Sequence, residues 1–160
     1  MRTRSALMDA STRPLRRAFV VGAFATVLSS ALARLAEAVE PKLAKADWQA
    51  IRKIISQQLA ALRAGDGDRA FGYASSGIRA QFGDAQTFIA MVRAGYAPLL
   101  AARYTEFLEG AVIDGAVIQP LRLIAPDNTV LVALYTLEKQ GKGGWRISGC
   151  SLAPSKVQAA

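Results

Sequence analysis

The period of the apolar residues changes once along this chain, and that change limits the folds open to it. Up to Pro98 the apolar positions recur at helical spacing. Trp48, Ile51, Ile55, Leu59 and Leu62 share one face of a segment Trp48–Ala64. From Arg103 onward the spacing is that of strands. Arg103–Val112, Ala116–Ala125, Thr129–Glu138 and Trp145–Leu152 read as four strands joined by Asp114-Gly115, Pro126-Asp127-Asn128 and the Gly/Lys loop 140–144. Helices followed by strands, with no alternation between them, argue for an α+β domain. In it the N-terminal helices cover one face of a curved, four-stranded antiparallel sheet.

Local signals divide the helical half. Asp47 is placed to cap the first helix and Gly65 to stop it. Asp66-Gly67-Asp68 opens a shorter helix that brings Ala70, Phe71, Tyr73 and Ala74 inward. Ser75-Ser76-Gly77 ends that helix, and Ile78–Phe82 adds another turn or two. Gly83-Asp84 breaks and caps again before Ala85–Ala94, where Phe88, Met91 and Val92 share a side. Ala97-Pro98 ends the helical half, because a residue preceding proline is driven out of the helical region. Pro120, inside a strand, points to an edge strand or a bulge. Trp145 is expected in the core, and Ala153–Ala160 reads as a frayed tail.

The segment 1–38 has the plan of a cleavable export signal. Met1–Arg17 is basic, Ala18–Ala33 is apolar, and Arg34–Ala38 ends in Ala36-Glu37-Ala38, the small-x-small pattern of a cleavage site. Ala31-Leu32-Ala33 is an earlier alternative that leaves no polar region before the cut. Read as an uncleaved anchor, the apolar stretch of 16 residues falls short of the ~20 needed to span a bilayer. Arg16-Arg17-Ala18-Phe19-Val20 resembles the twin-arginine export signal, with Leu15 where that pattern prefers Ser or Thr. An ordinary secretion signal with a chance arginine pair is the other reading. Either way the expected location is periplasmic or secreted, and the expected partners of this segment are the export machinery and signal peptidase. Val39–Ala46 is a lead-in, and the folded domain is expected over 47–152.

Composition excludes several chemistries. The net charge is +8, but residues 1–38 carry six arginines against Asp9 and Glu37, which is half of it. In the remainder Arg52-Lys53 is the one adjacent basic pair, so no basic stripe of the kind that binds nucleic acid is present. The absence of histidine removes His-based metal sites, Ser-His-Asp triads and Cys-His pairs. Cys150 is the single cysteine, and within the apolar run Trp145–Leu152 it reads as buried and inert. Asp66 and Asp68 lack the further oxygen ligands of a calcium loop. Neither Gly65-Asp66-Gly67 nor Gly141–Gly144 has the context of a phosphate loop. No cofactor or metal is expected.

Three stretches together carry a family resemblance. ISQQLAALRAGDGDRAFGYAS (Ile55–Ser75), FIAMVRAGYAPL (Phe88–Leu99) and ALYTLEKQGKGGWRISGCSL (Ala133–Leu152) resemble domain of unknown function 4864, a family of short exported bacterial proteins. That family is grouped with the nuclear transport factor 2-like, or cystatin-like, cone folds. The resemblance spans about Trp48–Leu152 and implies a fold and a compartment, with no catalytic residues to transfer.

Cone folds enclose a pocket between helices and sheet, so the polar side chains that could line it are the candidates for chemistry. These are Tyr73, Tyr96, Tyr104 and Tyr135, with Glu106, Asp84 and Arg103 as charged partners. Three functions are open. The first is a non-catalytic module binding a small apolar ligand. The second is a homodimeric structural or interaction protein. The third is an isomerase or hydratase pairing a carboxylate, Glu106, with an oxyanion-donating tyrosine, Tyr73 or Tyr104.

Overall fold

The structure, a computed structural model, describes residues 42–155. The export-signal residues Arg16, Arg17, Phe19, Ala36 and Ala38, and the end of the expected tail, lie outside them. The elements run α1 (Lys45–Arg63), α2 (Gly67–Gly72), α3 (Ser76–Phe82), α4 (Ala85–Gly95) and α5 (Ala97–Leu100). Then come β1 (Tyr104–Phe107), β2 (Ala111–Ile113), β3 (Ala116–Ile124), β4 (Val130–Lys139), a short 3-10 turn (Gly141–Gly143) and β5 (Trp145–Pro154). The domain is α+β, with the helices first and an open antiparallel sheet after them.

The helical joints are set by local chemistry. Gly65 adopts φ +74°, and the Gly65 and Asp66 amides close back on the carbonyls of Leu62 and Ala61, a left-handed stop that glycine makes without strain. Asp66 accepts from the Arg69 amide, Ser75 from the Ile78 amide and Asp84 from the Thr87 amide, capping α2, α3 and α4 in turn. The start of α1 differs from expectation. The helix begins three residues earlier, behind Ala44 and without a side-chain cap. Asp47 lies inside the first turn, where its carboxylate accepts from the Trp145 indole at 2.9 Å and from Lys139 at 3.3 Å. A partner on β5 outcompetes the local capping role.

The sheet has five strands rather than four. β3 and β4 pair along their length, β4 pairs with β5, and β1 and β2 both pair with the other side of β3. The expected single strand over Arg103–Val112 breaks at residues 108–110, between the pairs Phe107–Leu121 and Ala111–Ile118. This stretch keeps one bond, from the Leu108 amide to the Pro120 carbonyl, and lies opposite Gln119-Pro120, where proline has no amide to offer a ladder. Pro120 therefore marks an irregularity in an interior strand, and the edge-strand reading is corrected. The break is filled by side chains. Gln119, 0 % exposed, donates from Nε2 to the carbonyls of Leu108 at 2.8 Å and Pro120 at 3.0 Å. The Trp48 ring packs on Gly110 so closely that a Cβ there would stand 2.3 Å from Cζ3.

The hairpin turn is as expected. Asp114 and Gly115 have φ of +51° and +77°, the backbone a two-residue hairpin turn requires. β5 runs through Pro154, paired with Leu131, so the tail begins later than the sequence suggests. A bulge at Thr136/Leu137 interrupts the β4–β5 register and bends the sheet. The edge of β5 is partly covered, since Ser75 N donates to Ile147 O and Ile147 N to Tyr73 O.

One face of the sheet packs on α1. Ile51, Ile55 and Leu59 meet Leu121, Leu123, Ala133, Tyr135, Leu137, Trp145 and Ile147 in the main core. A second cluster joins α1, α2 and α4 through Leu62, Ala70, Phe88, Ile89 and Val92. Phe88 there lies 5.3 Å from Phe71 and 5.7 Å from Phe82. Trp145 is buried, as expected.

Candidate functional site

A cavity of about 230 Å³ opens where the two clusters meet. Gln58 and Leu62 of α1, Ile78 and Phe82 of α3, and Phe88, Met91 and Val92 of α4 form its helical wall. Tyr135, Ile147 and Cys150 form the sheet wall, with Tyr96 and Leu99 closing one end. The exposed Gln81 stands at its rim.

The polar groups of this lining are largely committed. Tyr96 donates its hydroxyl to the Cys150 carbonyl at 2.6 Å. Desolvation and the neighbouring Cys150 hold the Tyr96 phenol above its ordinary value. Burial pushes the Tyr135 phenol well up. It also pushes the Cys150 thiol up to about 12, although a hydrogen bond with Tyr135 works the other way. Cys150 therefore stays a neutral thiol at neutral pH, a poor nucleophile. Among the described residues no Asp, Glu, Lys or Arg lines the cavity, and no group of His, Cys, Asp or Glu could hold a metal ion.

The structure scatters the residues that the sequence singled out. Tyr96 and Tyr135 line the cavity, while Tyr73 and Tyr104 do not. Glu106 and Tyr104 alternate with the buried face of the sheet. Glu106 is paired with Arg122, its cross-strand neighbour, and Tyr104 is 50 % exposed. Tyr73 ends α2, with its phenol beside Arg69. These three are not gathered into one apolar pocket. Asp84 is a helix cap, and Arg103 holds the Ala125 carbonyl and the Asn128 side chain. Gln58, a buried amide on the apolar stripe of α1, is a lining residue that the sequence analysis does not single out; its spacing, three after Ile55 and four before Leu62, is the available signal.

These features define a small α+β domain with a mostly uncharged, apolar cavity between helices and sheet. The family model described as domain of unknown function (DUF4864) matches residues 44–160, and the chain belongs to that family. No curated protein and no solved structure matches it.

Proposed function

We propose that this chain is an exported, non-catalytic binding module that holds a small, mostly apolar ligand in the cavity between its helices and sheet. The cavity lining carries the reading: aromatic and aliphatic walls with a few neutral polar groups, and no acid or base poised for proton transfer. The volume lies below the usual range for drug-sized ligands, so the occupant is small. Ile78→Trp, a half-buried wall position on α3, would fill the space with little disturbance of the core. Ligands that raise the melting temperature of the parent should have no effect on this variant. An equal shift in both would place binding elsewhere.

Membership of the nuclear transport factor 2-like cone folds belongs to the same proposal. It is supported by helices packed on one face of a bulged antiparallel sheet. Export rests on the sequence of residues 1–38. Replacing Arg16 and Arg17 with Lys should block export by the twin-arginine route, and unchanged export would assign the general secretion route.

A second reading has an observation of its own. The sheet face turned away from α1 presents Tyr104 and Leu134 at 50 % and 36 % exposure, with Ile124 and Val132 half-buried beside them. A homodimer through this face would cover them. A monomeric hydrodynamic size at micromolar concentration would dismiss it.

A further inference from the structure

The cavity wall contains a buried amide oxygen to which no described residue supplies a donor. Gln58 is 4 % exposed and lines the cavity. Its Nε2 donates to the Ala70 carbonyl at 3.3 Å, which fixes the orientation of the amide, because only its nitrogen can donate to a carbonyl. Oε1 has no hydrogen-bond partner among the described residues. No side-chain oxygen or nitrogen in the described core is both sealed from contact and unpartnered. Oε1 therefore retains accessible surface, on a residue that lines the cavity.

An amide oxygen in an apolar wall is costly unless a donor reaches it. The rest of the lining narrows which donor fits. Tyr96 spends its proton on the Cys150 carbonyl, and the Tyr135 hydroxyl is engaged with the Cys150 side chain, so neither offers a free donor. With no Lys or Arg in the wall, a carboxylate or phosphate ligand would be desolvated without a countercharge. With no Asp or Glu, an ammonium would fare no better. A cavity of roughly 150 Å³ lined by aliphatic and aromatic side chains is enough for benzene, so 230 Å³ accommodates a single ring with a substituent or two.

Resting on the binding reading above, we propose that the cavity takes a small neutral ring compound with one hydrogen-bond donor, a phenol-type hydroxyl directed at Gln58 Oε1. The test is calorimetric titration of the protein with para-cresol, its methyl ether and para-toluate. These share a ring and differ in donor and charge. Para-cresol should bind roughly tenfold more tightly than the ether, the effect of one hydrogen bond in such a site, and para-toluate should bind most weakly. Gln58→Leu should erase the difference between the cresol and its ether. Because that variant also loses the bond to Ala70, its thermal unfolding is checked first. Where it fails to fold, the cresol-to-ether ratio on the parent decides. Equal binding of cresol and ether, tightest binding of the toluate, or a preference that survives in folded Gln58→Leu would overturn the donor assignment and leave cavity binding standing. Failure of all three compounds to bind would overturn both.

Discussion

Replacing Gln119 with leucine should destabilise the domain by about 2 kcal/mol, although leucine is of similar size and more apolar. Gln119 is fully buried and makes three hydrogen bonds at the break between β1 and β2. Two run from Nε2 to Leu108 O and Pro120 O, and the third is accepted from Arg52 Nε at 3.2 Å. Pro120 O would keep its bond from the Leu108 amide. Leu108 O would keep only a long 3.4 Å contact with Arg52. One weakly satisfied carbonyl and the loss of the other bonds cost about 3–4 kcal/mol, and the added apolar burial returns about 1–2 kcal/mol. For a domain of this size the net corresponds to a fall of roughly 8 °C in melting temperature. Circular dichroism during heating measures it directly. Gln119→Glu should also lose stability at neutral pH, because a carboxylate that keeps the bond from Arg52 has no donor for the two carbonyls, and should recover part of the loss as acid restores one. A leucine variant melting at or above the parent would refute the reasoning, since it would mean that shape alone fills the break.

Three other outcomes follow from the same geometry. Gly110→Ala should cost about 1–3 kcal/mol as the added methyl meets the Trp48 ring, and much of that cost should vanish in a Trp48→Leu background, measured as a double-mutant cycle in urea. Native Cys150 should resist iodoacetamide at pH 8 and react on unfolding. With the folded thiol raised from 9.0 to about 12, stability should fall as pH rises from about 9, where the unfolded thiol begins to ionise. The Trp145 indole, and after it Lys139, hold the Asp47 carboxyl below its ordinary value. Its contribution is thus present above about pH 4 and is lost as pH falls through the lowered value. Asp47→Asn should flatten that acid limb, and an unchanged slope in acid titrations would assign it to other carboxylates.

Much of the fold is legible because its signals are local. Gly65-Asp66, Gly83-Asp84 and Asp114-Gly115 mark their joints within two residues each, and the stripe Ile51–Ile55–Leu59 names the face that α1 buries. The errors fall where a distant residue decides. The alternation of Arg103–Val112 is continuous, and only Pro120, across the ladder, interrupts it. Asp47 has a helix-capping sequence context but a partner on β5. The cavity is harder still to read. The strand TVLVALYTLE is apolar on both faces, so its pattern does not reveal that Tyr135 points toward the helices while Leu134 points away. Glu106 and Tyr104 are candidates by their chemistry, yet strand parity puts them on the opposite face from the core. Gln58 is not singled out, because a polar residue on an apolar stripe announces burial without saying what it faces.

The cavity between helices and sheet is proposed to hold a small neutral ligand. Native mass spectrometry of the protein recovered from its own host tests it most directly, with Ile78→Trp alongside. The expected result is a one-to-one adduct of a small neutral compound on the parent that is absent from the variant. The bare chain mass in both samples, with no neutral ring compound shifting the melting temperature of the parent, would contradict it.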